Sequence, residues 1–125
     1  MSVVKKATCH CGAVELELDL ENGLEGLRRC NCSLCRRKGA IMASVPVGRL
    51  RVTRGADMLT LYQWNTKIAK HYFCKVCGIY THHQRRSKPS EYGVNVACIE
   101  GVDPFALKDV GIGDGAAQSL VTAER

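Results

Sequence analysis

Apolar and polar positions alternate along this chain in short blocks. Residues 14–20 read Val-Glu-Leu-Glu-Leu-Asp-Leu, apolar then acidic without a break. A period of two puts Val14, Leu16, Leu18 and Leu20 on one face and predicts a half-buried strand. Glu21-Asn22-Gly23 predicts a turn, and residues 27–30 a short returning strand. Ser33 is expected to cap a helical turn that runs through Arg36 to Lys38 and stops at Gly39. Further strands are expected over residues 41–45, 50–53, 59–64, 67–73, 79–84 and 92–99. Pro46, Val47-Gly48-Arg49, Gly55-Ala56-Asp57, Asn65, Gly78 and Pro89-Ser90 punctuate them. The glycine-rich residues 111–115 suggest a loosely ordered C-terminal tail. No long amphipathic helix is visible. The pattern therefore predicts a mainly β fold of short antiparallel strands with few short helical turns.

Composition adds limits. A length of 125 residues fits one domain, 1–125, with a hydrophobic core of its own. An apolar content of 46% excludes a disordered chain. No apolar run reaches the roughly 18–20 residues that span a membrane. The start, Met-Ser-Val-Val-Lys-Lys-Ala-Thr-Cys, lacks the apolar segment of a secretory signal, so a cytoplasmic location is expected.

That location governs how the eight cysteines read. In a reducing compartment, clustered cysteines point to metal ligands or reactive thiols rather than disulfides. Cys9 and Cys11 are one residue apart, as are Cys30 and Cys32, too close to bridge each other without strain. The formal charge of +6 hints at an anionic partner. Two zinc ions on seven thiolates would bring it to about +3, still modestly basic.

Cys74-Lys75-Val76-Cys77-Gly78 has the spacing of a zinc knuckle, a turn that aims two sulfurs at one ion. A tetrahedral ion needs two more ligands. Cys9 and Cys11, followed by Gly12, supply them as an i, i+2 pair at a strand end or tight turn. The product is a closed, structural four-cysteine zinc site. The other pairing, Cys74 and Cys77 with the 30/32/35 group, would leave Cys9 and Cys11 without a role.

Cys30-Asn31-Cys32-Ser33-Leu34-Cys35 places three thiols around one point. Three protein ligands with one position open is the arrangement of a catalytic zinc. Cys98 could close the site, but its alternation with Val94 and Val96 also reads as core packing. His82 and His83 read as ligands, as residues lining a substrate site, or as surface residues. His10 and His71 carry less signal.

Cys9-His-Cys-Gly-Ala-Val14, then Cys30-x-Cys-Ser-x-Cys-Arg36, then His71-x-Phe-Cys-x-x-Cys-Gly78 together resemble the glutathione-dependent formaldehyde-activating enzyme family, which includes centromere protein V. The resemblance covers about residues 7–105. It implies an Mss4-like, mainly β fold with two zinc ions per chain. Cys9, Cys11, Cys74 and Cys77 match the family's structural ligands. Cys30, Cys32 and Cys35 match its catalytic ligands. The implied activity is that of a carbon–sulfur lyase or synthase, joining formaldehyde to glutathione as S-hydroxymethylglutathione. The founding enzymes are longer, and the resemblance assigns no glutathione-binding residue in this chain.

Three function classes follow. In the first, a substrate thiolate at the three-cysteine zinc attacks an aldehyde. Arg36, Arg37, Lys38, Arg85 and Arg86 are then candidates to meet substrate carboxylates, with Arg36, His82 and His83 lining the site. The second class is a basic nucleic-acid-binding zinc module, supported by a pI near 9.0 and opposed by an aromatic content of only 6%. The third is a non-catalytic structural or interaction module, which fold alone does not exclude. An exposed strand edge would also permit a homodimer.

Overall fold

The computed structural model describes residues 4–64 and 67–113. Among these residues, ten strands form two sheets. The smaller has the order β1-β2-β5, with β1 at Val4–Thr8, β2 at Glu15–Asp19 and β5 at Leu50–Arg54. The larger comprises β3 at Arg28–Cys30, β4 at Met42–Pro46, β6 at Leu59–Tyr62, β7 at Lys70–Cys74, β8 at Tyr80–Gln84, β9 at Glu91–Asn95 and β10 at Gly111–Gly113. Its order is β10-β3-β4-β9-β8-β7-β6. Pairing is antiparallel throughout except between β10 and β3, which run parallel. A short helix, α1 at Ser33–Lys38, follows β3. Short 3₁₀ turns complete the mainly β fold.

The alternation in β2 does what its period requires. Val14, Leu16 and Leu18 are fully buried and Leu20 nearly so. The acidic positions between them face outward, where Arg51 pairs with Glu17, Arg54 with Glu15, and Arg49 with Asp19 at 3.6 Å. The leucines and Val14 pack with Val45, Val94 and Val96 of the larger sheet's strands and turns. Each such side chain contributes about 1.5–3 kcal/mol through the area it hides from water.

Several local expectations shift. Helix α1 is capped by Cys32, not Ser33: the Cys32 sulfur accepts from the Cys35 amide at 3.3 Å. Gly39 ends the helix in the left-handed conformation, as expected. The strand expected over residues 92–99 stops at Asn95, whose side chain caps a 3₁₀ turn at Val96–Cys98. Cys98 therefore does not alternate on a strand with Val94. The glycine-rich stretch is not loose over Gly111–Gly113, which forms β10 and pairs with Arg28, Arg29 and Cys30. Residues 114–125 and the expected turn at Asn65 lie outside the described residues. Among the described residues, no helix is long and apolar enough to cross a membrane.

Candidate metal centre and its surroundings

The first cysteine group ties the two sheets together. Cys9 and Cys11 follow β1 of the smaller sheet, and Cys74 ends β7 of the larger. Their sulfurs and that of Cys77 lie within 4.8 Å of one another. Four sulfurs placed tetrahedrally at a zinc–sulfur distance of about 2.3 Å would sit about 3.8 Å apart. Cys9 and Cys11 are separated by 3.7 Å, and Cys11 and Cys74 by 3.8 Å. The donor set thus has the size as well as the chemistry of a zinc site. Both halves use the same local device. Gly12 and Gly78 sit at φ +80° and +79°, a conformation that side chains resist. Each donates its amide back to the first cysteine of its pair. Backbone amides of Val14 and Val76 point at the sulfurs of Cys9 and Cys74 at 3.3 and 3.4 Å, the donors that a thiolate requires.

The second group is Cys30, Cys32 and Cys35, again within 4.8 Å. Cys30 is the last residue of β3, Cys32 caps α1 and Cys35 lies in its first turn. Strand β10 braces this loop, since the Asn31 amide donates to the Gly113 carbonyl at 3.0 Å. The three thiols strain against one another. Cys35 is pushed far up by its contacts with Cys30 and then Cys32, with burial adding to both. Cys32 is pulled down to about 2 because Cys30 and Cys35 both donate to it. Three crowded sulfurs that cannot all ionise together are what a divalent cation relieves. Cys98 does not join this group. Its thiol donates to the Tyr80 carbonyl at 3.7 Å, and burial, then the charges of Cys9 and Cys77, push its pKa up to about 11. Its side chain packs against the core.

Next to the second group lies a polar cluster that sequence reading largely missed. Strands β7 and β8 pair His71 with His83 and Tyr72 with His82, then shift register so that Phe73 faces Tyr80. Thr81 is the extra residue of this bulge. The shift brings Tyr80 and His83 to one side, where the Tyr80 hydroxyl bonds His83 Nδ1. His83 stacks on His71 with ring centroids 5.1 Å apart. Gly93 of β9 lies against the His83 ring, and a Cβ there would come within 2.5 Å of it. Lys38 enters from the end of α1. Its Nζ is 3.1 Å from His71 Nδ1 and 3.3 Å from the centre of the Tyr80 ring. Burial, then the neighbouring Lys38, lowers the His71 pKa to about 4, so its ring is neutral and can accept from the ammonium. Burial, then the charge of Cys35, raises Tyr80 well above its usual range.

Of the three residues expected to line a substrate site, only His83 belongs to this cluster. Arg36 is exposed. His82 points to the opposite side of β8, because neighbouring strand residues alternate. It stacks on Tyr72, meets Tyr92 edge-on and bonds Thr81 at 2.9 Å.

Burial alone lowers His82 to about 4. The unfolded chain therefore takes up a proton near pH 6.5 that the folded chain refuses until about 4. The stability tied to neutral His82 is whole above about pH 6.5 and is lost as pH falls toward 4, by up to about 3 kcal/mol. Thermal melts across that window should show a smaller acid-induced loss for His82→Phe than for the parent. Equal losses in the two proteins would contradict this account of His82.

Comparison with known proteins gives two findings. The family model described as "Glutathione-dependent formaldehyde-activating enzyme" matches residues 4–109. A crystal structure of a Rhodobacter sphaeroides protein is 63% identical and superposes with a TM-score of 0.82, covering 86% of this chain and 98% of that one.

Proposed function

Because this chain belongs to the glutathione-dependent formaldehyde-activating enzyme family, we propose that it adds a thiol to an aldehyde reversibly, with glutathione and formaldehyde as substrates and S-hydroxymethylglutathione as product. The observation that carries this reading is a three-sulfur group with no fourth protein ligand among the described residues, set beside a half-buried lysine. Zinc held by Cys30, Cys32 and Cys35 would supply an open position that lowers the pKa of an incoming thiol and presents it as a thiolate. The closed group of Cys9, Cys11, Cys74 and Cys77 would take the structural ion.

The protein's own residues account for the rest. Lys38, Arg28 and Arg85 are cations whose charge reaches His83 of the cluster. Arg28 spends one amino group on the Gly26 carbonyl and the Ser44 hydroxyl, both within 2.9 Å. Its Nη2 is buried with no hydrogen-bonding partner among the described residues. The basic run at residues 84–88 is partly neutralised, which weighs against a nucleic-acid partner, since Glu91 pairs with Arg85 at 2.6 Å and Lys88 at 3.1 Å.

The test is exchange between ¹³C-formaldehyde and its glutathione adduct, followed by NMR on protein of known zinc content. Protein with two zinc ions per chain should accelerate the exchange, and chelation of zinc should abolish the effect. Zinc-loaded protein that leaves the exchange at its spontaneous rate would favour a non-catalytic module.

A further inference from the structure

We propose that Lys38 donates the hydrogen bond that meets the aldehyde oxygen as the carbon–sulfur bond forms, with His71 and the Tyr80 ring holding its ammonium in position. This inference rests on the thiol-addition reading above and names the residue that would act on the second substrate.

Three consecutive basic residues end α1, and only the last turns inward. Arg36 and Arg37 are exposed, whereas Lys38 is half-buried. Lys38 lies three residues beyond Cys35, so both occupy one side of the helix. No carboxylate pairs with Lys38 among the described residues, although a lysine withdrawn from water normally has such a partner. It is held instead by a neutral imidazole and by an aromatic face, close enough to Cys35, Cys32 and Cys30 to interact with them electrostatically. An ammonium has three donors. One goes to His71 Nδ1 and one to the Tyr80 ring, which leaves one for a ligand near the sulfurs.

The step balances as follows. A lone pair on the substrate sulfur forms the S–C bond, and the C=O π pair moves onto oxygen. Lys38 bonds that oxygen and gives it a proton, which completes the hydroxymethyl group. The amine regains a proton from solvent, equal to the one that the thiol released on ionising. In reverse, the amine takes the hydroxyl proton, the C–S bond breaks and the carbonyl re-forms. The site favours this assignment because the donor stands ready before charge develops on oxygen.

Lys38→Met and Lys38→Arg test it, each characterised for zinc content, glutathione affinity and exchange rate. Lys38→Met should lower kcat for exchange about 100-fold or more. Its zinc content should be unchanged and its glutathione Kd should stay within about threefold of the parent, which a merely structural role would not predict. Lys38→Arg should recover part of the rate. In the parent protein, the ¹⁵N resonance of Lys38 Nζ should shift when formaldehyde is added with glutathione. This readout holds even where Lys38→Met fails to fold. A Lys38→Met rate within about threefold of the parent, or an Nζ resonance unmoved by the adduct, overturns the proposal alone. A parent protein that accelerates no exchange overturns the thiol-addition reading, and this inference with it.

Discussion

Cys74→Ser is expected to leave the chain unfolded, or folded only marginally, at room temperature. Cys74 has no exposed surface, sits in the hydrophobic core and ends β7. Its sulfur meets that of Cys11, 63 residues away in the chain, at 3.8 Å. The four-cysteine group is therefore a clamp between the smaller sheet and the larger one. Metal at such a site folds the protein as it binds, with apparent energies on the order of 10 kcal/mol in small zinc domains. A domain of this size has about 5–15 kcal/mol of stability in all. Serine removes a thiolate ligand and leaves a hydroxyl in an apolar setting. Circular dichroism and urea unfolding give the answer. A variant with the parent's melting temperature and two zinc ions would show that this group is no clamp.

Cys32→Ser should behave in the opposite way, keeping the fold while losing one zinc ion and the activity. The structure gives a reason that spacing alone did not. Cys32 is the N-cap of α1, and serine is among the best N-caps. The substitution thus preserves the bond to the Cys35 amide while removing a sulfur from the group of three. A melting temperature within a few degrees of the parent is expected, with zinc falling from about two ions per chain to about one and exchange reduced at least 100-fold. Unchanged turnover in a Cys32→Ser protein would sink the role assigned to this group.

The contrast between these cysteines marks what was legible in the sequence. Strand β2 was readable because burial on one face leaves a period of two. Both cysteine groups were readable because residues that can hold one metal ion keep short, characteristic spacings. The Lys38–His71–Tyr80–His83 cluster was not, because a bulge at Thr81 assembles it. Strict alternation would have separated Tyr80 from His83. Nor could composition show which of three consecutive basic residues turns inward, since the pitch of α1 relative to β7 decides that. The pairing of β10 with β3 was hidden as well. Backbone atoms of a three-residue, glycine-rich segment make it, and they leave almost no mark on residue type.

The central claim is that Cys30, Cys32 and Cys35 hold a zinc ion whose fourth position receives the substrate thiol. X-ray absorption at the zinc edge, with and without glutathione, tests it most directly. The account predicts two zinc ions per chain, with average sulfur coordination rising from about 3.5 to about 4 per ion when glutathione is added. A sulfur count that glutathione leaves unchanged, or a chain that binds only one zinc, would contradict it.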